Sequence, residues 1–231
     1  MFCIATFGFG ERYYNQINRL IESSKAFQDI PKIFVLTDKP EKIQTTENVE
    51  VVNISLYQDS YQFVENNYYI FDFSVKRWVV KHALLQNYNK IVLVDCDIIF
   101  NHSWNCEMYE KYFVEDSISG QVVYDLNNAF DPLGKRYEYY KQHFGMDFEP
   151  SLVNEVPEDC ITLFNFKSKE LGLEFIDCWS DCIEVKNEHS LGNAPAGNID
   201  EIAFSACKLG IPMKYEYTYN LLVADHDKWY M

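Results

Sequence analysis

Apolar residues along the chain fall into short runs that alternate with stretches of helical spacing. Residues 2–7 (Phe2-Cys3-Ile4-Ala5-Thr6-Phe7) read as a buried strand. Over 12–26, Ile17, Leu20 and Ile21 recur at helical intervals and predict a helix. A second strand is expected over 32–37, stopped by Asp38-Lys39-Pro40, and a third from Val49 to Ile54. Residues 74–87 carry Val75, Trp78, Val79, Ala83 and Leu84, the pattern of an amphipathic helix. Ile91-Val92-Leu93-Val94 is apolar on both faces, which marks a central strand of a parallel sheet. The order β-α-β-β-α-β predicts a doubly wound α/β layer.

The pattern loosens after Phe100. Strands are expected over 119–124 and 161–166, and helices over 168–184 and 199–209, the last stopped by Gly210. The polar and aromatic stretch 125–159, with Pro132, Pro150 and Pro157, reads as a flap or lid. Residues 186–198, with Gly192, Pro195 and Gly197, read as a loop that feeds a helix. No repeat, low-complexity tract or linker divides the sequence, so a single domain over 1–231 is expected.

Composition narrows the function. At 231 residues and 48% hydrophobic, the chain can bury a substantial core. Its 35 acidic against 20 basic residues leave a net charge of −15, which would be repelled by nucleic-acid backbones and anionic lipid. No apolar run approaches the roughly 20 residues of a spanning helix, and Met1 leads straight into strand-like sequence without a basic leader. A cytoplasmic protein is the expectation. The odd number of cysteines, seven, fits reduced thiols. Cys178 and Cys182 stand one helical turn apart, but no further pair is spaced to complete a zinc site with them.

The sharpest chemical feature is Asp95-Cys96-Asp97, directly after the apolar run 91–94. Ligands of open α/β sheets bind beyond the carboxyl ends of strands. Two carboxylates at such an edge repel each other unless a cation joins them, and hard oxygen donors suit Mg²⁺ or Mn²⁺. Such an ion can clamp a diphosphate. The bland alternative is a turn bearing two solvated acids.

Around this motif the sequence resembles the glycosyltransferase A fold, a Rossmann-like architecture, with Asp95-Cys96-Asp97 as its D-x-D. It is most similar to glycosyltransferase family six, the blood-group A/B and α1,3-galactosyltransferase group. Phe7-Gly8 follows the first strand, where that family has Phe-Ala. Phe34-Val35-Leu36-Thr37-Asp38-Lys39-Pro40 resembles its second strand and turn. Ser74-Val75-Lys76-Arg77-Trp78 resembles its Ser-Met-Arg-Arg-Met, and Asp200-Glu201 its His-Asp-Glu, with Ile199 in place of the histidine.

The resemblance implies a metal-dependent transfer of a sugar from a nucleotide-diphosphate sugar, a UDP-hexose, to a carbohydrate or other hydroxyl acceptor, with retention. Residues 1–100 would form the donor half and 101–231 the acceptor half. Phe7, Gly8 and Tyr13 would flank the nucleobase, Phe7 being equally readable as core. Asp95 and Asp97 would hold ribose and Mn²⁺ or Mg²⁺. Lys76 or Arg77 would neutralise a donor phosphate or orient the acids, or simply form a solvated basic pair. Glu201 would face the anomeric carbon and Asp200 a sugar hydroxyl, since carboxylates suit an oxocarbenium-like transition state. Asp225-His226-Asp227-Lys228-Trp229 resembles the glycogenin-like family, where a late histidine is a metal ligand and a lysine meets the diphosphate; that points to His226 and Lys228. Histidines 82, 102, 143 and 189 have no partner at ligand spacing.

Three rivals remain. Gly8-Phe9-Gly10-Glu11-Arg12 is similar to the glycine-rich loop of sugar-1-phosphate nucleotidyltransferases, without the fuller glycine run. Asp95 as a phosphatase nucleophile of the haloacid-dehalogenase type is disfavoured by its mid-chain place and by Ile98-Ile99. A degenerate relative that only binds carbohydrate is the third.

Overall fold

The computed structural model describes residues 1–60, 75–113, 116–120, 123–125, 139, 141–145, 155–157, 161–188, 199–215 and 221–224. The expected β-α-β-β-α-β succession is present as β1 (Cys3–Phe7), α1 (Glu11–Ser24), β2 (Lys32–Thr37), β3 (Val49–Asn53), α2 (Lys76–Leu85) and β4 (Lys90–Val94). A 3-10 stretch, Ile54–Ser60, follows β3. After β4 come β5 (Ile98–Phe100), α3 (Cys106–Glu110), β6 (Ser117–Gly120), β7 (Val123–Asp125), β8 (Glu155–Pro157) and β9 (Ile161–Asn165). Then follow α4 (Lys169–Glu188), α5 (Ile199–Lys208), β10 (Met213–Tyr215) and β11 (Leu222–Ala224).

Seven strands form one sheet in the order β10-β6-β9-β4-β1-β2-β3. β1, β2, β3 and β4 run parallel, as do β6 and β10, while β9 runs antiparallel to both β4 and β6. β4 is central, as its two-sided apolarity predicts, but only its β1 side is parallel. Two antiparallel pairs, β5–β11 and β7–β8, stand apart from this sheet.

Side chains alternate across the sheet with period two, so each face has its own core. Cys3, Ala5 and Phe7 of β1 join Phe34, Leu36, Ile91, Leu93 and Phe164 against α2, α4 and α5, where Val79, Leu84, Phe175, Trp179 and Ile202 meet them. Ile4, Ile33, Val35, Val92, Val94 and Leu163 face the other way, against Ile17, Leu20 and Ile21 of α1 and the aromatic group Phe2, Trp104, Tyr109 and Phe113. The result is a mixed, mostly parallel sheet between two helical layers.

The chain order fixes where a ligand can enter. From β1 the chain builds outward to β2 and β3; α2 then returns it to β4, on the other side of β1. The direction of winding therefore reverses between β1 and β4, and the carboxyl ends of strands at such a reversal are where open α/β sheets bind ligands.

Some expectations change. The strand expected over 119–124 is two strands, β6 and β7, which belong to different sheets. The helix expected to stop at 184 continues to Glu188, so the expected loop over 186–198 begins later, and 189–198 lie outside the described residues. Most of the expected flap over 125–159 also lies outside them; within it, β8 pairs with β7. Among the described residues, no helix is long and apolar enough to cross a membrane. Cys3, Cys96, Cys106, Cys178, Cys182 and Cys207 are free thiols, and Cys160 lies outside the description.

Candidate functional site

The site grows from the ends of β1 and β4. β1 pairs with β4 in parallel, Ala5 opposite Leu93, so Phe7 and Asp95 both stand at the carboxyl edge, two residues further on. After β4 the backbone folds into a tight turn in which the Ile98 amide donates to the Asp95 carbonyl at 3.2 Å. This turn splits the motif. Cys96 points inward, only 8% exposed, and its thiol lies 3.2 Å from Gln16 Oε1 on α1. Asp95 and Asp97, on either side of it, are half-buried. Burial first, and then the two flanking carboxylates, push the Cys96 thiol pKa far up, so it is an anchor in the core rather than a nucleophile.

Lys76 enters from the opposite helical layer. It opens α2, is completely buried, and places Nζ 3.0 Å from Asp95 Oδ1. The same ammonium lies 5.5 Å from the centre of the Phe7 ring. A buried lysine is sustained only by such compensation, since an isolated charge in the interior is strongly disfavoured. Phe7 itself is 7% exposed and packs in the core with Phe9. Its ring serves as a floor beneath the ammonium, and little of its face is open to a base. Arg77, also buried, lays its guanidinium 4.3 Å from the centre of the Trp78 ring, which also stacks nearly parallel on Tyr57 at 5.3 Å and meets the Lys81 ammonium at 5.4 Å. The solvated-pair alternative for Lys76 and Arg77 is therefore set aside.

The third wall is the start of α1. The Gly8 amide donates to the Leu36 carbonyl at 3.0 Å, tying the turn to β2. A Cβ on Gly8 would meet Ile17 Cδ1 at 2.8 Å and Tyr13 Cβ at 2.9 Å, so only glycine lets α1 come this close to the end of β1. Gly10, with φ 94° and ψ 156°, then turns the chain into the helix through a region that side chains avoid. The close approach sets Tyr13 beside the acids. Burial, then Cys96, Asp97 and Asp95, raise its hydroxyl pKa, with Arg12 opposing. Tyr13 is half-exposed, with the Arg12 guanidinium 5.9 Å from its ring centre, so among the described rings at this edge it has surface to offer a planar ligand. The next residue, Tyr14, donates to Asp38 Oδ1 at 2.6 Å and fastens α1 to the end of β2.

Of the residues expected at a site, Phe7, Gly8, Tyr13, Lys76, Asp95 and Asp97 converge on this edge. Glu201 lies on α5, in the same helical layer as Lys76, and is fully buried; Ser205 Oγ donates to its carbonyl at 2.7 Å. Asp200 occupies the first turn of α5, but its side chain is outside the description, as are His226 and Lys228 altogether. Gln16 was not expected. It stands three residues after Tyr13, a spacing that places two side chains on one helix face, and that was the available signal.

Among the described residues, no group of three or more His, Cys, Asp or Glu is arranged to hold a metal. The two aspartates still offer the hard oxygens that Mg²⁺ and Mn²⁺ prefer, and they stand half-exposed at the sheet edge, so the donors present fit such an ion as a partial set to be completed by a ligand. Comparison with models of known protein families gives no match to this chain, and comparison with curated proteins gives none either.

Proposed function

We propose that the chain is a glycosyltransferase of the A fold, a hexosyltransferase that uses a UDP-hexose donor, Mn²⁺ or Mg²⁺, and a carbohydrate or other hydroxyl acceptor. The observation that carries this reading is the convergence, at the β1/β4 reversal of the sheet, of a paired-aspartate turn, a fully buried lysine and a glycine-enabled aromatic wall. An anionic ligand with a flat base and a cation partner suits that set better than a neutral one does.

Each residue then has a task. Tyr13 stacks on the base from the α1 side. Asp97 ligates the ion, and Asp95, oriented by Lys76, reaches ribose or the ion. Lys76 contributes fixed positive charge where the diphosphate leaves. The bound ion would neutralise that leaving group. Glu201 is assigned to the reacting carbon, since a carboxylate suits developing positive charge, and its complete burial means that the side chain must be uncovered to meet a sugar. Retention of configuration belongs to this proposal as well.

Hydrolysis of UDP-sugars with and without Mn²⁺ tests the reading. Turnover should require the ion, and Asp97→Ala should lower it by about a hundredfold or more, the scale of losing one transition-state charge contact. Glu201→Gln should lower kcat and leave UDP affinity unchanged. Ion-independent turnover, or full activity in Asp97→Ala, sinks the assignment. Turnover of a sugar 1-phosphate with a nucleoside triphosphate would favour the nucleotidyltransferase alternative instead.

A further inference from the structure

The segment that carries Asp97 is laid along α1 and fastened to it at both ends. At the far end, Ser23 Oγ accepts from the Phe100 amide at 3.0 Å while it donates to the Leu20 carbonyl of its own helix at 2.7 Å. At the near end, two helical turns earlier, Gln16 Oε1 accepts from the Cys96 thiol at 3.2 Å. The other edge of this segment, Ile98–Phe100, pairs with β11. The helix that provides both fastenings is itself held elsewhere. Tyr14 ties it to Asp38 at 2.6 Å. The Asn18 amide donates to the Lys42 carbonyl at 2.9 Å, and its oxygen accepts from the Gln44 amide at 2.7 Å. Gly8 lets it lie close against the end of β1.

The two aspartates are therefore positioned by different means. Asp95 has a fixing point of its own in Lys76, 3.0 Å away. Asp97 takes its place from the backbone between Cys96 and Ile98, and the Cys96–Gln16 contact is the side-chain fastening next to it. From this we propose, resting on the metal-dependent reading above, that Gln16 is a positioning residue for Asp97. Acting through Cys96, it fixes the spacing of the two carboxylates and so selects a small ion of strict geometry over a larger and more adaptable one. Mg²⁺ demands a near-octahedral shell at about 2.0–2.1 Å, and Mn²⁺ shares the octahedral preference, whereas Ca²⁺ accepts flexible shells at about 2.3–2.6 Å. A turn released from α1 gives up that preference before it gives up binding.

Equilibrium dialysis tests this without turnover. The Mn²⁺ retained by the protein is measured with UDP in excess on both sides, and the Ca²⁺ needed to displace half of it is then found. Gln16→Met keeps the length of the side chain and removes the acceptor. It should weaken Mn²⁺ by about fivefold, the order that one neutral hydrogen bond supplies, and move Ca²⁺ by less than about twofold. Cys96→Ala should match it. The double variant Gln16→Met with Cys96→Ala should bind no more weakly than either single variant, because both side chains act through one contact. Cys96→Ser, which keeps a donor, should recover most of the wild-type affinity. Asn89→Ala serves as a control for lost stability alone. It removes a 2.9 Å hydrogen bond to the Phe166 carbonyl at the opposite end of β4, and should lower the unfolding temperature without moving either ion. Wild-type Mn²⁺ affinity in Gln16→Met, equal losses for Mn²⁺ and Ca²⁺, or single effects that add in the double variant would each overturn the role of Gln16 and leave the transferase reading standing. A wild-type protein that retains no Mn²⁺, with or without UDP, removes the transferase reading and this role with it.

Discussion

A missing side chain shapes the site as much as any present one does. Gly8 lets Tyr13 and Ile17 approach the end of β1 to distances that a methyl group would occupy. Tyr13 Cβ is close to the backbone and cannot rotate away, so Gly8→Ala must push α1 outward. The expected cost is about 1–3 kcal/mol of stability, as for other overpacked interiors. The displaced Tyr13 should weaken UDP binding by about tenfold, equivalent to 1.4 kcal/mol. Denaturant unfolding and calorimetric titration with UDP and Mn²⁺ measure the two effects separately. An unchanged UDP affinity in a folded Gly8→Ala protein would remove Tyr13 from the site. At this scale the sequence was informative where chemistry is local. Asp95 and Asp97 are legible because a strand apolar on both faces can end only at the sheet edge. The inward turn of Cys96 onto Gln16, eighty residues away, leaves no local trace, whereas Lys76 or Arg77 was expected from the resemblance to orient the acids, and it is Lys76 that meets Asp95.

Elements with long apolar runs declared themselves, and short ones did not. β1, β2 and β4 each carry four or more consecutive buried residues, and their expected limits lie within a residue or so of those observed. β5, β10 and β11 have three residues each, too few to establish a period. Strand direction is not encoded in alternation, so nothing in 161–166 announced that β9 runs against its neighbours. A second polar chain was likewise illegible: Glu50 of β3, His82 of α2 and Tyr57 of the 3-10 stretch are joined at 2.9 and 3.0 Å through the two ring nitrogens. It fastens the segment after β3 to the helix that carries Lys76. Burial raises the Tyr57 hydroxyl from an ordinary value of 10.0 to about 12. In the window between these values the unfolded chain loses a proton that the folded chain keeps, so stability must fall as pH rises. The contribution is complete below pH 10 and is spent by about pH 12. Alkaline titration followed by phenolate absorbance should show one hydroxyl fewer titrating near pH 12 in Tyr57→Phe. The stability of that variant should depend less on pH across the same window. Loss of a hydroxyl that titrates near pH 10.0 rather than near pH 12 would mean that Tyr57 is solvated.

The whole molecule adds a field that acts against its own proposed ligand. With a net charge of −15, the chain repels a nucleotide at long range. The buried charge of Lys76 and a divalent ion act at short range, where the field is weakly screened and can overcome that repulsion. Salt should therefore affect this protein in the opposite sense to a basic nucleotide binder. Raising ionic strength from about 0.01 M to 0.15 M shortens the screening length from about 30 Å to 8 Å, which removes the repulsive approach and leaves the partly buried contacts largely intact. The thermal shift produced by UDP alone should grow over that range. With Mn²⁺ present and UDP at about 100 times its dissociation constant, stabilisation should reach about 2.7 kcal/mol, or roughly 5–10 °C in a domain of this size. A panel of nucleotides at both salt concentrations also reads the base, because Tyr13 stacking admits any ring whereas the rest of the site need not. A UDP shift that shrinks with added salt would mean that the ligand is held by surface charge rather than at the β1/β4 edge, since only a screened attraction weakens in that way.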